Sequence, residues 1–90
     1  MYYVYFLQSK HSPEVTYVGF TRDLKNRLIQ HNNLESISTK KNAPWELVYY
    51  EDFKSKEDAA KRERMLKYDG KAKTLLKKRI ENCLSLKGAA

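Results

Sequence analysis

YYVYFLQSKHSPEVTYVG, residues 2–19, decides the fold. Its opening run, from Tyr2 to Gln8, is dense in aromatic and β-branched residues, which suit a pleated strand better than a helix. Strand alternation sends Tyr3, Tyr5 and Leu7 to one side and Tyr2, Val4 and Phe6 to the other, so both faces are apolar. A strand of that kind belongs in the middle of its sheet. Ser9 to Pro13 supplies turn residues, and Val15 to Gly19 reads as a second short strand, close enough to pair with the first as an antiparallel hairpin.

Downstream, Thr21 is placed to cap a helix running to about Asn32, with Leu24, Leu28 and Ile29 as its apolar stripe. Residues from Asn32 to Pro44 are polar and turn-rich, and read as a mobile loop carrying Lys40 and Lys41. Trp45 to Phe53 is a third strand. Ser55 opens a second helix, with Asp58 placed as in a capping box, and that helix runs to about Tyr68. Asp69-Gly70 interrupts it. A last helix spans roughly Lys71 to Leu84, with Leu75, Leu76, Ile80 and Leu84 at helical spacing. The expected fold class is α+β, a small three-stranded antiparallel sheet flanked by helices in the order β-β-α-β-α-α. One domain covers residues 1–84, and 85–90 form a tail whose last residues are frayed.

Ninety residues hold a single core. Eighteen Lys and Arg against eleven Asp and Glu give a net charge of +7 and a pI near 9.5. That balance points to a polyanionic partner, whether DNA, RNA or an anionic membrane surface, unless the protein is simply basic. The single cysteine, Cys83, rules out an internal disulfide or a cysteine-based zinc site; it reads as a free, half-buried thiol suited to a reducing cytoplasm. No run is long and apolar enough for a membrane span, and the apolar start from Met1 to Leu7 lacks the basic lead and cleavage site of a signal peptide.

Several side chains have the makings of a site. Tyr5 and Tyr17 fall on neighbouring strands, where their hydroxyls either meet at one sheet face or are satisfied within a core. Arg27 and His31 are four residues apart and share a helix side. They suit a phosphate clamp with a neighbour that orients a hydroxyl or water, or else they are a solvated face. Glu63 sits with Ala59, Ala60 and Leu66 on the apolar side of its helix. A carboxylate there needs a metal ion such as Mg²⁺ or an ion pair with Arg27 or a nearby Lys. Gly19 either allows a close approach or marks a plain turn. The basic residues between Lys54 and Arg79 surround the helix stripes, as a solvated face or as a track for a phosphate backbone.

Tyr3-Val4-Tyr5 and Tyr17-Val18-Gly19 resemble the two short motifs that name the GIY-YIG nuclease superfamily. The likeness continues through Phe20-Thr21, Leu24, Arg27, His31-Asn32, Thr39-Lys40-Lys41, Pro44 to Tyr50 and Ala59 to Glu63, and reaches about Ile80. The chain is similar to the compact stand-alone bacterial members, which are related to the N-terminal nuclease domain of the ABC excinuclease. Its first motif reads Tyr-Val-Tyr, keeping the third position, and Asn82 is the nearest residue to the late asparagine of many members. The resemblance implies a metal-dependent endonuclease acting on DNA, RNA not being excluded, on repair or recombination structures. Tyr5, Tyr17, Arg27, His31 and Glu63 would be catalytic, and Glu63 would hold one Mg²⁺ or Mn²⁺. Gly19, Arg27, Thr39, Lys40 and Lys41 would meet the nucleic acid. A homodimer or a protein partner would supply specificity. The alternative is a non-catalytic nucleic-acid-binding module on the same fold, which would not require all five catalytic side chains.

Overall fold

A computed structural model describes residues 1–84. β1 (Tyr2–Ser9) lies between β2 (Thr16–Thr21) and β3 (Trp45–Phe53) and is antiparallel to both. Its two apolar faces explain the position, since the middle strand is the one buried above and below along most of its length. Val4 and Phe6 join Val18, Ala59, Leu66 and Leu76 in the main core. Tyr5 and Leu7 form a second cluster with Trp45, and Tyr17, Leu24, Leu28 and Leu47 pack around it. Burying side chains such as Phe6 and Leu66 stabilises the fold by about 1.5–3 kcal/mol each.

One irregularity in β3 decides what this second face contains. Tyr5 pairs with Tyr50 and Phe6 with Tyr49, but Leu7 pairs with Leu47, so Val48 is an extra residue in the ladder. Val48 and Tyr49, though consecutive, both pack on the main core. The bulge thereby returns Leu47 and Trp45 to the face of Tyr5.

α1 (Leu24–Asn32) covers this second face, while α2 (Lys56–Tyr68) and α3 (Gly70–Arg79) build the main core. The order β-β-α-β-α-α is the expected one. Ser55 caps α2 as expected, its Oγ accepting from Asp58 N at 3.2 Å. Asp69 ends α2 and caps α3, accepting from Lys71 N and Ala72 N. An arginine fork ties α2 to β3: Arg62 donates from Nε and Nη2 to the two Glu51 oxygens, both at 2.9 Å. Burial acts to raise the Glu51 pKa, but the bonds from Arg62 and Tyr49 hold it below the usual carboxylate value.

Several boundaries differ from the sequence reading. β2 runs on to Thr21, which pairs with Tyr3, so Asp23 caps α1 instead and accepts from Asn26 N at 3.1 Å. Thr21 Oγ1 accepts from Asp23 N and shapes the turn before the cap. α3 ends at Arg79; Ile80 and Leu84 reach the core from the turn beyond it. Ile29 and Leu75, assigned to apolar stripes, are 47% and 58% exposed. Cys83 is free and exposed rather than half-buried, because it lies in that final turn. The expected tail, 85–90, lies outside the described residues.

α1 closes through a Schellman arrangement: Leu34 N donates to His31 O at 3.3 Å and Glu35 N to Gln30 O at 3.0 Å. The closing residue is Leu34, at φ 63°, where a Cβ is unfavourable. Because Leu34 is exposed, Leu34→Gly should relieve more strain than it costs in chain entropy. The expected gain is about 0.5–1 kcal/mol in the urea unfolding free energy; a loss of stability would mean that the left-handed turn is not under strain.

Candidate active site

Tyr5 projects from β1 over Gly19, its partner on β2. The ring fits because position 19 carries no side chain: a Cβ there would come within 2.5 Å of Tyr5 Cζ. The close approach expected at Gly19 is made by a side chain of the protein itself.

The Tyr5 hydroxyl meets His31 Nε2 at 2.9 Å, and His31 Nδ1 meets Thr39 Oγ1 at 2.7 Å. His31 stands in the last turn of α1 and is fully buried, so it is not part of a solvated face. Burial lowers its pKa, and the nearby Arg27 guanidinium lowers it further, so the ring is neutral at pH 7. Burial raises the Tyr5 pKa above its ordinary value, against the pull of Arg27. Tyr5 is consequently a phenol, not a phenolate, at neutral pH.

The resemblance places Thr39 at the nucleic acid, yet its side chain is completely buried. Its hydroxyl is taken by His31, and its carbonyl accepts from Trp45 Nε1 at 2.8 Å. The segment between α1 and β3 is also tied down more firmly than its composition implied. Asn32 clasps the Trp45 backbone, accepting from its N–H at 2.6 Å and donating to its carbonyl at 3.1 Å. Ser9 Oγ donates to Asn42 O at 2.6 Å, and Lys10 N to Pro44 O at 2.9 Å. Lys40 and Lys41 begin a short 3₁₀ turn (Lys40–Asn42) and remain exposed.

Tyr17 packs edge-on to His31 with ring centroids 5.3 Å apart, and it also touches the rings of Tyr5 and Trp45. α2 lies on the opposite face, yet Lys67 Nζ sits 5.3 Å from the Tyr17 ring centroid, reaching past the edge strand β2. The same ammonium is 3.3 Å from Glu63 Oε2. Of the alternatives for Glu63, the structure shows an ion pair with a lysine. Arg27, by contrast, donates from Nη1 to Gln30 Oε1 at 2.9 Å. The field of Glu63 acts on Tyr5, so this carboxylate belongs to the same neighbourhood. Tyr5, Tyr17, Arg27, His31 and Glu63 thus converge from β1, β2, α1 and α2. Asn82 is exposed in the turn after α3, and Arg62 is engaged by Glu51 rather than free for a phosphate.

Sequence reasoning missed Lys67, Asn32 as a backbone clasp and the supporting part played by Thr39. Only Lys67 had a local signal, its i,i+4 relation to Glu63. Among the described residues no three His, Cys, Asp or Glu side chains converge as a metal cluster. The donor set is one half-buried carboxylate. That suits a hard divalent cation that keeps most of its waters and shares substrate oxygens, and does not suit zinc, which takes three or four protein ligands.

A family model described as "GIY-YIG catalytic domain" matches residues 1–77. A UPF0213 protein of Staphylococcus saprophyticus is 36% identical over 75 residues, covering 82% of this chain and 89% of that protein. One from Clostridium perfringens is 40% identical over 68 residues, covering 74% and 71%. Another from Streptococcus pyogenes is 39% identical over 66 residues, covering 72% and 70%. No solved structure matches the chain.

The contact between Tyr5 and Gly19 generates a test. Gly19→Ala should destabilise the protein by about 1–3 kcal/mol, since the buried ring has little room to retreat. In a Tyr5→Ala background the same change should be nearly neutral. Equal losses in both backgrounds, measured by denaturant unfolding, would show that the ring is not what excludes a side chain at 19.

Proposed function

The chain belongs to the GIY-YIG catalytic-domain family, a family of nucleases, and on that basis we propose that it is a metal-dependent endonuclease hydrolysing phosphodiester bonds in DNA, with repair or recombination structures as substrates. The observation that carries this reading is the relay from the Tyr5 hydroxyl through His31 to Thr39.

Tyr5 alone is a poor base at neutral pH, because burial keeps its proton on. The relay removes that obstacle. With Nδ1–H donating to Thr39, His31 Nε2 is free to accept the Tyr5 proton as Tyr5 Oη takes one from the attacking water. The water oxygen bonds to phosphorus, the bond to the leaving sugar oxygen breaks, and His31 ends the step protonated on both nitrogens. Tyr17, held by its aromatic neighbours, orients the phosphate or the water. Arg27 stabilises the charge growing on the phosphoryl oxygens. Its move from Gln30 to a phosphate also draws the guanidinium away from Tyr5, which is only 2% exposed. GIY-YIG nucleases generally use a divalent metal; Mg²⁺ or Mn²⁺ held by Glu63 would act as a Lewis acid on the scissile phosphate. Lys40 and Lys41 hold the flanking backbone. The protein works in the cytoplasm, where an exposed thiol such as Cys83 stays reduced, and a homodimer or protein partner supplies specificity.

The covered Tyr5 hydroxyl favours a second reading, a nucleic-acid-binding module that does not cut. Glu63→Ala separates the two. Assayed on single-stranded, duplex, nicked, flapped and branched DNA with Mg²⁺, Mn²⁺ or EDTA, the variant should lose metal-dependent cutting and keep salt-sensitive binding. A wild type that binds and never cuts would establish the binding module.

The pH profile tests the relay. The step requires neutral His31, whose pKa is held below the ordinary imidazole value, so kcat/KM should be flat near pH 7 and fall only on the acid side of that value. His31→Ala should lower the rate by about 10²–10⁴-fold and abolish that acid limb. An acid limb that persists in the variant would assign it to another group.

A further inference from the structure

Beside the proposed active site, on the same sheet face, lies an open groove of about 530 Å³ between α1 and the sheet. Its position follows from register: Tyr50 on β3 is the direct cross-strand partner of Tyr5, and Tyr3 is two residues from Tyr5 along β1. Tyr3 and Tyr50 meet edge to face with centroids 5.8 Å apart, and Tyr50 is 50% exposed. Leu24, Leu28 and Leu47 complete the apolar wall, and Lys25 stands exposed at the rim; Arg22 also borders the groove, but its guanidinium lies over the Tyr2 ring, 5.5 Å from the centroid. The rim also carries Asp23, whose carboxylate is turned to its own helix as the cap. A half-exposed aromatic floor with an exposed lysine at its edge is complementary to one thing a DNA strand offers: a base with its phosphates.

We propose that this groove takes an unpaired nucleobase of the bound strand near the scissile phosphate, stacked on Tyr50, with Lys25 facing the strand's phosphates. The inference rests on the nuclease reading for its orientation and adds to it a substrate requirement, a nucleotide out of the helical stack near the cut. Stacking on an aromatic ring is tolerant of base identity, so the groove favours unpaired structure without dictating sequence. In a closed duplex the same base has to be extruded first, at the cost of its pairing and stacking.

Binding in EDTA tests this apart from cleavage. Anisotropy titrations would use a labelled single-stranded DNA oligonucleotide and a blunt duplex of the same sequence, with wild type, Tyr50→Ala, Tyr50→Phe and Lys25→Ala. Tyr50→Ala should weaken single-strand binding roughly five- to a hundredfold, leave the duplex nearly unaffected, and be rescued by Tyr50→Phe. Lys25→Ala should weaken both and reduce the slope of log K against log salt by about one. Single-strand affinity unchanged in Tyr50→Ala, equal losses on both DNAs, or no single-strand binding by wild type would each overturn the proposal. Absent cleavage with these binding differences intact would count against the nuclease reading alone.

Discussion

The hydrogen bond between Tyr5 and His31 sets the terms for the structure around it. Both side chains are buried, and a polar group hidden from water without a partner is costly, so each must answer the other. Tyr5 can reach His31 only by lying across β2, which requires a bare position at Gly19. His31 then needs a partner for its second nitrogen. Thr39 supplies it, in a segment that would otherwise be a surface loop. Thr39 is held by Trp45, and Trp45 by Asn32, which follows His31 in the same helix turn. The circuit closes on itself: α1 delivers both the histidine and the clasp that fixes the histidine's support.

The features that the sequence disclosed are those set by short-range pattern. A strand apolar on both faces has to be central, and Tyr2 to Gln8 is central. Ser55 and Asp69 act as helix boundaries because capping is a matter of local hydrogen bonds. Where two local signals competed, the longer-range one decided: Thr21 and Asp23 are both good caps, and pairing of Thr21 with Tyr3 left the cap to Asp23. The convergence of Tyr5, Tyr17, Arg27, His31 and Glu63 was approached through helical spacing and family likeness. Thr39 and Lys67 were not legible in their roles, since no period relates a loop threonine to a histidine or a lysine on one face to a tyrosine on the other. Leu75 shows the reverse error: it fits a helical stripe by spacing, but the face that α3 buries runs through Ala72 and Leu76, and Leu75, one residue off it, turns to solvent.

The charge excess is likewise not evenly available. Arg62 is taken up by Glu51 and fixes α2 to β3, and Lys67 is occupied by Glu63 and Tyr17. These two cations hold the resting arrangement together, whereas Lys25, Lys40 and Lys41 stand in solvent. A bound phosphate would thus meet exposed lysines first and Arg27 only as it approaches Tyr5.

The bulge at Val48 divides β3 into halves of opposite phase. Because Leu47 and Tyr50 share a face only through that extra residue, the distance in sequence from Trp45 to Tyr50 is a switch of parity. Removing one residue of this stretch while keeping the pairing of Tyr5 with Tyr50 would take out the bulge: Trp45 would then stand four residues from Tyr50 in a regular ladder and keep its face, and β3 would give the main core one side chain fewer. The extra residue therefore lets one strand serve two cores at once: Val48 and Tyr49 fill the main core side by side, while Trp45 keeps the face, and the bond to the Thr39 carbonyl, that a regular strand one residue shorter would give it.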